Sequence, residues 1–242
     1  EVLSRAVNNT IFATSNDELR PAMTGVYVNL GEKNTTFVAT DGHRLVRYRR
    51  TDVKSDNGAS IIIPRKALNL LKATLPSENT EVSINFNMSN AFFKFGNIKM
   101  ICRLIDERFP DYDNVIPTNN TITMSIERND LLGALKRISI YANKTTHQVR
   151  LKITGSELQI SAEDLDFSNE ANERLSCEHD GEDIEIGFNA KFLIEMLTNI
   201  DSDKIKLAMS APNKAGVIFP DEKDKAEDIL MLVMPVMLNQ YV

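Results

Sequence analysis

Asp41, His43 and Arg44 lie within four residues of one another, in the run Ala39-Thr40-Asp41-Gly42-His43-Arg44-Leu45. An aspartate beside a histidine can orient the imidazole as a general base, so catalysis would first be sought here. A hydrolase also needs a nucleophile or a metal, and the sequence has no G-x-S-x-G, no H-E-x-x-H and no glycine-rich phosphate loop. The chain has three histidines (His43, His147, His179) and two cysteines (Cys102, Cys177), with no C-x-x-C spacing, so no structural zinc is expected. Asp41-Gly42 reads instead as a tight turn. The expectation is a protein with no catalytic residue, no metal and no cofactor.

Composition narrows the class. Apolar residues make up 42% of the 242 residues, enough for a packed core of one or two domains. No apolar run reaches the roughly 18 residues of a membrane span, and Glu1-Val2-Leu3-Ser4-Arg5 has no signal pattern. The chain opens directly into a helical pattern without a methionine, which reads as part of something longer. Cys102 ends the apolar run Ile98-Lys99-Met100-Ile101-Cys102 and is expected to be a buried thiol. So few cysteines suit a reducing, cytoplasmic compartment.

The elements that must hold these residues occur twice. Leu3, Ala6, Val7 and Ala13 match Leu132, Leu135, Lys136 and Ala142 at a constant offset, each set spaced for one apolar helix face. Alternating strands follow, Val26 to Leu30 with Thr36 to Ala39, and Val149 to Ile153 with Leu158 to Ser161. Turn signals separate them at Gly31-Glu32-Lys33-Asn34 and Thr154-Gly155-Ser156-Glu157. A second helix spans 64–75, with Pro64 suited to its first position, and 189–200, with Asn189 as its cap. Here Leu68, Leu71 and Leu75 align with Leu193, Met196 and Ile200. Strands then close each unit, at 82–86, 91–95 and 98–104, and at 204–209, 216–219 and 229–234. The joint is expected near Pro117-Thr118-Asn119-Asn120. The fold class is α+β, two repeated domains each with two helices packed on antiparallel sheets.

Charge is divided between these elements. The four helical segments (2–13, 64–75, 128–144 and 189–200) hold Arg5, Arg65, Lys66, Lys72, Arg128, Lys136, Arg137, Lys144 and Lys191 against only Asp130 and Glu195. With a total of −6, the rest of the chain carries −13. Basic helices on an acidic protein can attract a polyanion to one surface. They lack residues arranged to read base edges, so contact to phosphates without sequence readout fits. Solvated lysine-rich helix faces are the plainer alternative.

Three segments carry a family resemblance: Ala39-Thr40-Asp41-Gly42-His43-Arg44-Leu45, then Arg108-Phe109-Pro110-Asp111-Tyr112 running to Val115-Ile116-Pro117, and Leu232-Val233-Met234-Pro235-Val236. In order and spacing the chain resembles the bacterial DNA sliding clamp family, the beta subunit of DNA polymerase III, over its second and third domains. The resemblance implies a DNA-clamp fold, with residues 1–117 as the middle domain and 118–242 as the C-terminal domain. It implies a processivity factor of DNA replication. The intact head-to-tail homodimer ring encircles duplex DNA and tethers DNA polymerase III, the clamp loader, other polymerases and repair proteins. Those partners dock linear peptides in a hydrophobic cleft between these domains. Carried over by motif, the cleft is lined by Met23, Thr40, Gly42, His43, Arg44, Leu45, Pro110, Asn114, Val115, Asn189, Phe192, Leu232, Val233, Met234, Pro235 and Val236. Ile140 and Tyr141 match the ring-joining surface.

Departures from the family pattern are visible too. Met237 and Leu238 stand where an Arg and a terminal Leu often end the family's tail, and Asn239-Gln240-Tyr241-Val242 extend it. Pro21-Ala22 replace adjacent tyrosines of some members, and Thr146 and His147 stand where bulkier residues occur. Read without the family, Val236, Met237 and Leu238 follow Pro235 with no evident core to enter, and such exposed Met-rich residues suit a groove for several partners. A protein-interaction module without a DNA role is the alternative function, and an enzyme built on Asp41 and His43 a third.

Overall fold

The computed structural model describes residues 1–56, 58–222 and 226–238; the expected extension at 239–242 lies outside them. By contacts the chain divides into two compact units. The first comprises residues 1–111 with a short return segment that includes Glu227 to Ile229; the second comprises 112 to 222 and 230 to 238.

In the first unit the order is α1 (Val2–Thr10), β1 (Gly25–Leu30), β2 (Thr35–Thr40), β3 (Arg44–Arg50), β4 (Ala59–Pro64), α2 (Arg65–Thr74), β5 (Ser83–Phe86), β6 (Asn90–Phe95) and β7 (Ile98–Arg103). One antiparallel sheet runs β3-β2-β1-β4 and a second β5-β6-β7. The second unit repeats this plan. It has β8 (Ile122–Glu127), α3 (Arg128–Ile138), β9 (Gln148–Thr154), β10 (Glu157–Asp164), β11 (Asn169–Ser176), β12 (Glu178–Asp180), β13 (Ile184–Asn189), α4 (Ala190–Asn199), β14 (Lys204–Met209), β15 (Gly216–Pro220) and β16 (Glu227–Val233). Its sheets run β11-β10-β9-β13 and β12-β8-β14-β15-β16. Residues 227–229 of β16 count with the first unit and 230–233 with the second.

Helix faces explain the packing. Leu131, Ala134, Leu135 and Ile138 bury one stripe of α3, and Ala190, Leu193, Met196 and Leu197 one stripe of α4. Ala6 and Leu135 are both buried, as are Ala13 and Ala142, but Val7 is buried where its counterpart Lys136 is exposed. The α3 stripe is shifted round to Leu131 and Ala134, which the pairing by offset did not identify. Pro64 is not the first helical residue; it ends β4 and caps α2 from outside. Strands β3, β4, β8, β11, β12 and β13 are additions to the strands that the sequence pattern predicts. In β11 the sequence Asn-Glu-Ala-Asn-Glu-Arg-Leu-Ser alternates exposed with half-buried positions and has no apolar run to signal a strand.

The least expected interaction is in the first unit. Glu227 is only 6% exposed. One carboxylate oxygen accepts from Arg5 Nε at 2.8 Å, Tyr48 Oη at 2.8 Å and Arg50 at 2.7 Å, and the other accepts from Arg5 at 2.9 Å. Arg50 also makes a two-pronged contact with Asp52, at 2.8 and 2.6 Å. Burial alone would raise the Glu227 carboxyl. The hydrogen bonds from Arg5 and Tyr48 and the charges of Arg5 and Arg50 outweigh it, and the net shift is downward. Burial, together with the carboxylate, pushes the Tyr48 phenol up to about 12.

Glu227→Ala would take the carboxylate from Arg5 and from a fully buried phenol, and would leave Arg50 with Asp52 alone. We expect it to destabilise the chain by about 3 kcal/mol, read by urea unfolding at neutral pH. Because folding lowers the Glu227 carboxyl, its contribution is complete above the ordinary glutamate value of 4.5 and declines as pH falls below it. Tyr48 acts in the opposite direction: its contribution is complete below 10 and is lost as pH rises through about 12. Glu227→Gln should flatten the acid limb of stability, and Tyr48→Phe the alkaline limb.

Candidate functional site

The Thr40–Arg44 segment is a self-contained turn between β2 and β3. Asp41 Oδ1 accepts from the backbone N–H groups of His43 (2.9 Å) and Arg44 (3.0 Å), and Oδ2 accepts from Arg44 Nε at 3.1 Å. Thr40 Oγ1 donates to Arg44 O at 2.7 Å and accepts from Gly42 N–H at 3.1 Å. The other arm of Arg44 donates to Phe12 O at 2.8 Å, with its guanidinium 5.5 Å from the Phe12 ring centre. Gly42 has φ +90°, a conformation that side chains other than glycine's rarely adopt. The aspartate's oxygens are thus directed at the turn's own backbone and at Arg44. This is a structural use of the Asp-x-His pair, and it leaves Gly42 and His43 exposed at the tip.

The remaining cleft candidates divide by unit. In the first, Met23 and Pro110 are half-buried, whereas Thr40, Arg44 and Leu45 are buried. The exit segment is anchored by Phe109, whose ring stacks on Tyr27 with centres 4.9 Å apart. In the second unit Asn114, Val115 and Met234 are exposed, and Asn189, Phe192, Pro235 and Val236 are half-buried. Leu232 and Val233 are core residues of β16 and support a surface rather than form one. Asn189 caps α4, accepting from Lys191 N–H at 2.9 Å. The N–H of Ala190 donates to His147 O at 2.8 Å, tying the loop before β9 to the start of the helix. Burial, then Lys191 and Lys144, push the His147 imidazole below its ordinary value.

The tail corrects one expectation. Val236 and Leu238 do meet the second unit: Val236 N–H donates to Gly187 O at 2.8 Å, and the Leu238 side chain lies over Gly187. A side chain at 187 would run into the Val236 carbonyl and Leu238, so this glycine is needed for close approach. Met237, at 69%, is the exposed residue of this stretch.

Of the basic candidates, Lys66, Lys72, Lys136 and Lys191 are exposed. Others have internal partners. Arg5 is held by Glu227, Arg128 donates to Ser202 O (2.8 Å) and Leu197 O (3.0 Å), and Arg137 grips Glu173 on β11 at 2.5 and 3.0 Å. Arg65 donates to Asn16 at 2.6 Å and Lys144 to Ile140 O at 2.9 Å. Ile140 and Tyr141 are exposed on a single turn after α3. That turn packs by β10 and β11, whose connection exposes Leu165 and Phe167. Sequence reasoning missed these last two; the available signal was an apolar pair between acids, Asp164-Leu165-Asp166-Phe167. Strand β11 is the outermost of its sheet. Both cysteines are free; Cys177 is buried, whereas Cys102 is only half-buried, against expectation, and burial raises both thiols. Among the described residues no cluster of three or more His, Cys, Asp or Glu could hold a metal, and no helix is long and apolar enough to cross a membrane.

A two-helix, two-sheet unit built twice, with a motif turn and an apolar terminal strand, defines a clamp-type α+β protein. A model for the central domain of the DNA polymerase III beta subunit matches residues 1–111, and one for its C-terminal domain matches 113–236. The chain belongs to the DNA polymerase III beta subunit family. Beta sliding clamps of Staphylococcus epidermidis and Staphylococcus aureus are each 29% identical over 238 residues, 98% of this chain and 62% of theirs. The chain thus spans less than two thirds of the length of these relatives. A structure of the DNA polymerase III subunit beta from Pseudomonas aeruginosa superposes with a TM-score of 0.93 at 28% identity, covering 98% of this chain and 64% of that one. The beta subunit from DNA polymerase of Streptococcus pyogenes gives 0.92 at 27%, with the same coverage.

Gly187→Ala should release the tail at a cost of about 1–3 kcal/mol, seen as faster amide exchange at Val236. Asp41→Ala, which orphans two turn N–H groups and takes the carboxylate from the buried Arg44 guanidinium, should cost about 2–3 kcal/mol and show as a lower melting temperature.

Proposed function

We propose that this chain is the part of a bacterial sliding clamp that faces DNA and receives partner peptides, and that it acts in the cytoplasm as a non-catalytic processivity factor. Family membership together with one observation supports this: Lys66, Lys72, Lys136 and Lys191 stand exposed on α2, α3 and α4 of a chain whose net charge is −6. Phosphates are met as charges without base readout, which suits a protein that must move along any sequence. Arg65, Lys144 and Arg137 add to the field while bonded internally; Arg5 and Arg128 serve mainly the fold.

Peptide docking draws on exposed or half-exposed side chains of each unit. The first offers Met23, Gly42, His43 and Pro110. The second offers Asn114, Val115, Asn189, Phe192, Met234, Pro235 and Val236. Buried Thr40, Arg44, Leu45, Leu232 and Val233 hold them in place. Affinity would come from burying apolar side chains of the peptide, at about 25 cal/mol per Å² less ordering costs. DNA polymerase III, the clamp loader and other polymerases and repair proteins are the proposed partners. Ring closure as a head-to-tail homodimer would use Ile140 and Tyr141, extended here to Leu165, Phe167 and the open edge of β11, an edge being a ready template for pairing.

The full-length protein should stay on circular duplex DNA and leave it on linearisation. This chain alone should bind linear duplex weakly, with a steep loss of affinity as salt rises. Replacing Lys66, Lys72, Lys136 and Lys191 by Glu should abolish that binding; salt-resistant binding by the quadruple variant would refute the assignment. Met234→Ala with Pro110→Ala should weaken capture of a polymerase C-terminal peptide by about tenfold or more, about 1.4 kcal/mol, in a fluorescence titration.

A further inference from the structure

The solvent-exposed face of the β5-β6-β7 sheet carries a second charged surface, built on strands rather than helices. Strand register sets its rows: Ser83 pairs with Lys94 and Lys94 with Lys99, Asn85 with Phe92 and Phe92 with Ile101, and Asn90 with Arg103. The opposite face holds the buried Ala91, Phe93, Phe95 and Met100, so alternation directs the first set outward. Lys94, Lys99 and Arg103 are exposed, and Ile101 is 65% exposed beside the half-buried Phe92.

Two lysines directly opposite across an antiparallel pair repel one another. Among the described residues nothing relieves them: Lys94, Lys99 and Arg103 make no ion pair, and Glu81, just ahead of β5, is joined to none of them. The second unit supplies an internal comparison. In its counterpart sheet Lys204 lies 3.2 Å from Glu178 and 3.8 Å from Glu127, and Lys206 lies 2.6 Å from Asp221. One copy of the repeat neutralises its sheet lysines; the other leaves three cations bare around an apolar centre on a chain of net charge −6.

We propose that this face docks an extended acidic segment of a partner protein, with carboxylates at positions i and i+4 and an apolar side chain at i+2. Lys99 and Arg103 are four residues apart along β7, about 13 Å, with Ile101 midway. An extended peptide repeats the same two-residue alternation at the same rise, so its two carboxylates would meet Lys94–Lys99 and Arg103 while the apolar side chain covers Ile101 and Phe92. Asn85 and Asn90 flank the track with side-chain amides. A single-stranded nucleic acid fits less well, since it needs a series of stacking planes and the only ring on this face, Phe92, sits beside a protruding isoleucine.

The test is fluorescence anisotropy with the 242-residue chain and a labelled peptide, Gly-Ser-Glu-Thr-Phe-Thr-Glu-Ser-Gly. Saturable binding is expected at low salt. It should fall about tenfold when Lys94→Glu and Lys99→Glu are combined, and by a similar factor when both peptide glutamates become glutamines. Absence of saturable binding, or binding indifferent to either change, would overturn the proposal. So would equal displacement by an oligothymidylate strand, which would assign the face to nucleic acid. Lys99→Glu alone keeps the measurement interpretable. It sets opposite charges across the strand pair, so its melting temperature should equal or exceed that of the parent chain while binding drops; binding retained at the parent level would count against the docking role.

Discussion

A carboxylate removed from water needs compensation on every side, and Glu227 receives it from Arg5 in a helix and from Tyr48 and Arg50 in a strand. A buried ion cluster of this kind contributes little net stability compared with an apolar replacement, but it tolerates no missing member. Its effect is specificity of position. The cluster ties the return segment, which comes more than a hundred residues after the rest of the first unit, to a helix and a strand of that unit. The first unit is therefore completed only after nearly all of the second has been laid down in the chain. Arg5 carries a further lesson: a cation on an exposed-looking helix can belong to the core, and counting charges in sequence cannot distinguish the two.

The same distinction applies across the candidate sites. The sequence pattern put basic residues on all four helices, and the structure sorts them by partner. Lysines, with long flexible stems and no fork geometry, are the ones left to solvent on α2, α3 and α4. Arginines are drawn into backbone carbonyls, as Arg128 is, or into carboxylates, as Arg5 and Arg137 are. This follows from the planar guanidinium, which satisfies several acceptors at once where an ammonium does not. Exposed positive charge and a set of local fasteners thus come from the same formal charge.

Much of the architecture was legible in the sequence because the repeat doubled each signal. Leu68, Leu71 and Leu75 gain weight from Leu193, Met196 and Ile200 at the same spacing. Asn189 was readable as a cap from its residue type, and the Asp41-Gly42 turn from the chemistry of short polar side chains and positive φ. What escaped had no local signature. Strand β11 is polar along its length and owes its existence to pairing with β10. The attachment of Val236 to Gly187 joins residues about fifty positions apart through backbone atoms, which no side-chain pattern encodes. Leu232, Val233 and Leu45 stood in motif segments, and only burial separates the residues that would touch a partner from those that hold them up.

The outer edge of β11 has a consequence for the behaviour of the chain in solution. An edge strand without a neighbour invites the same strand of another molecule, and the exposed Leu165, Phe167, Ile140 and Tyr141 beside it add sticky surface. Along the strand, however, the sequence sets Glu170, Glu173 and Arg174 among asparagines and contains no run of β-branched residues. Acidic side chains at the edge act as gatekeepers, and the overall negative charge keeps separate molecules apart. The open edge is thereby kept from the unspecific stacking that ends in fibrils, and solubility of the isolated chain should depend on those few edge charges more than on its buried core.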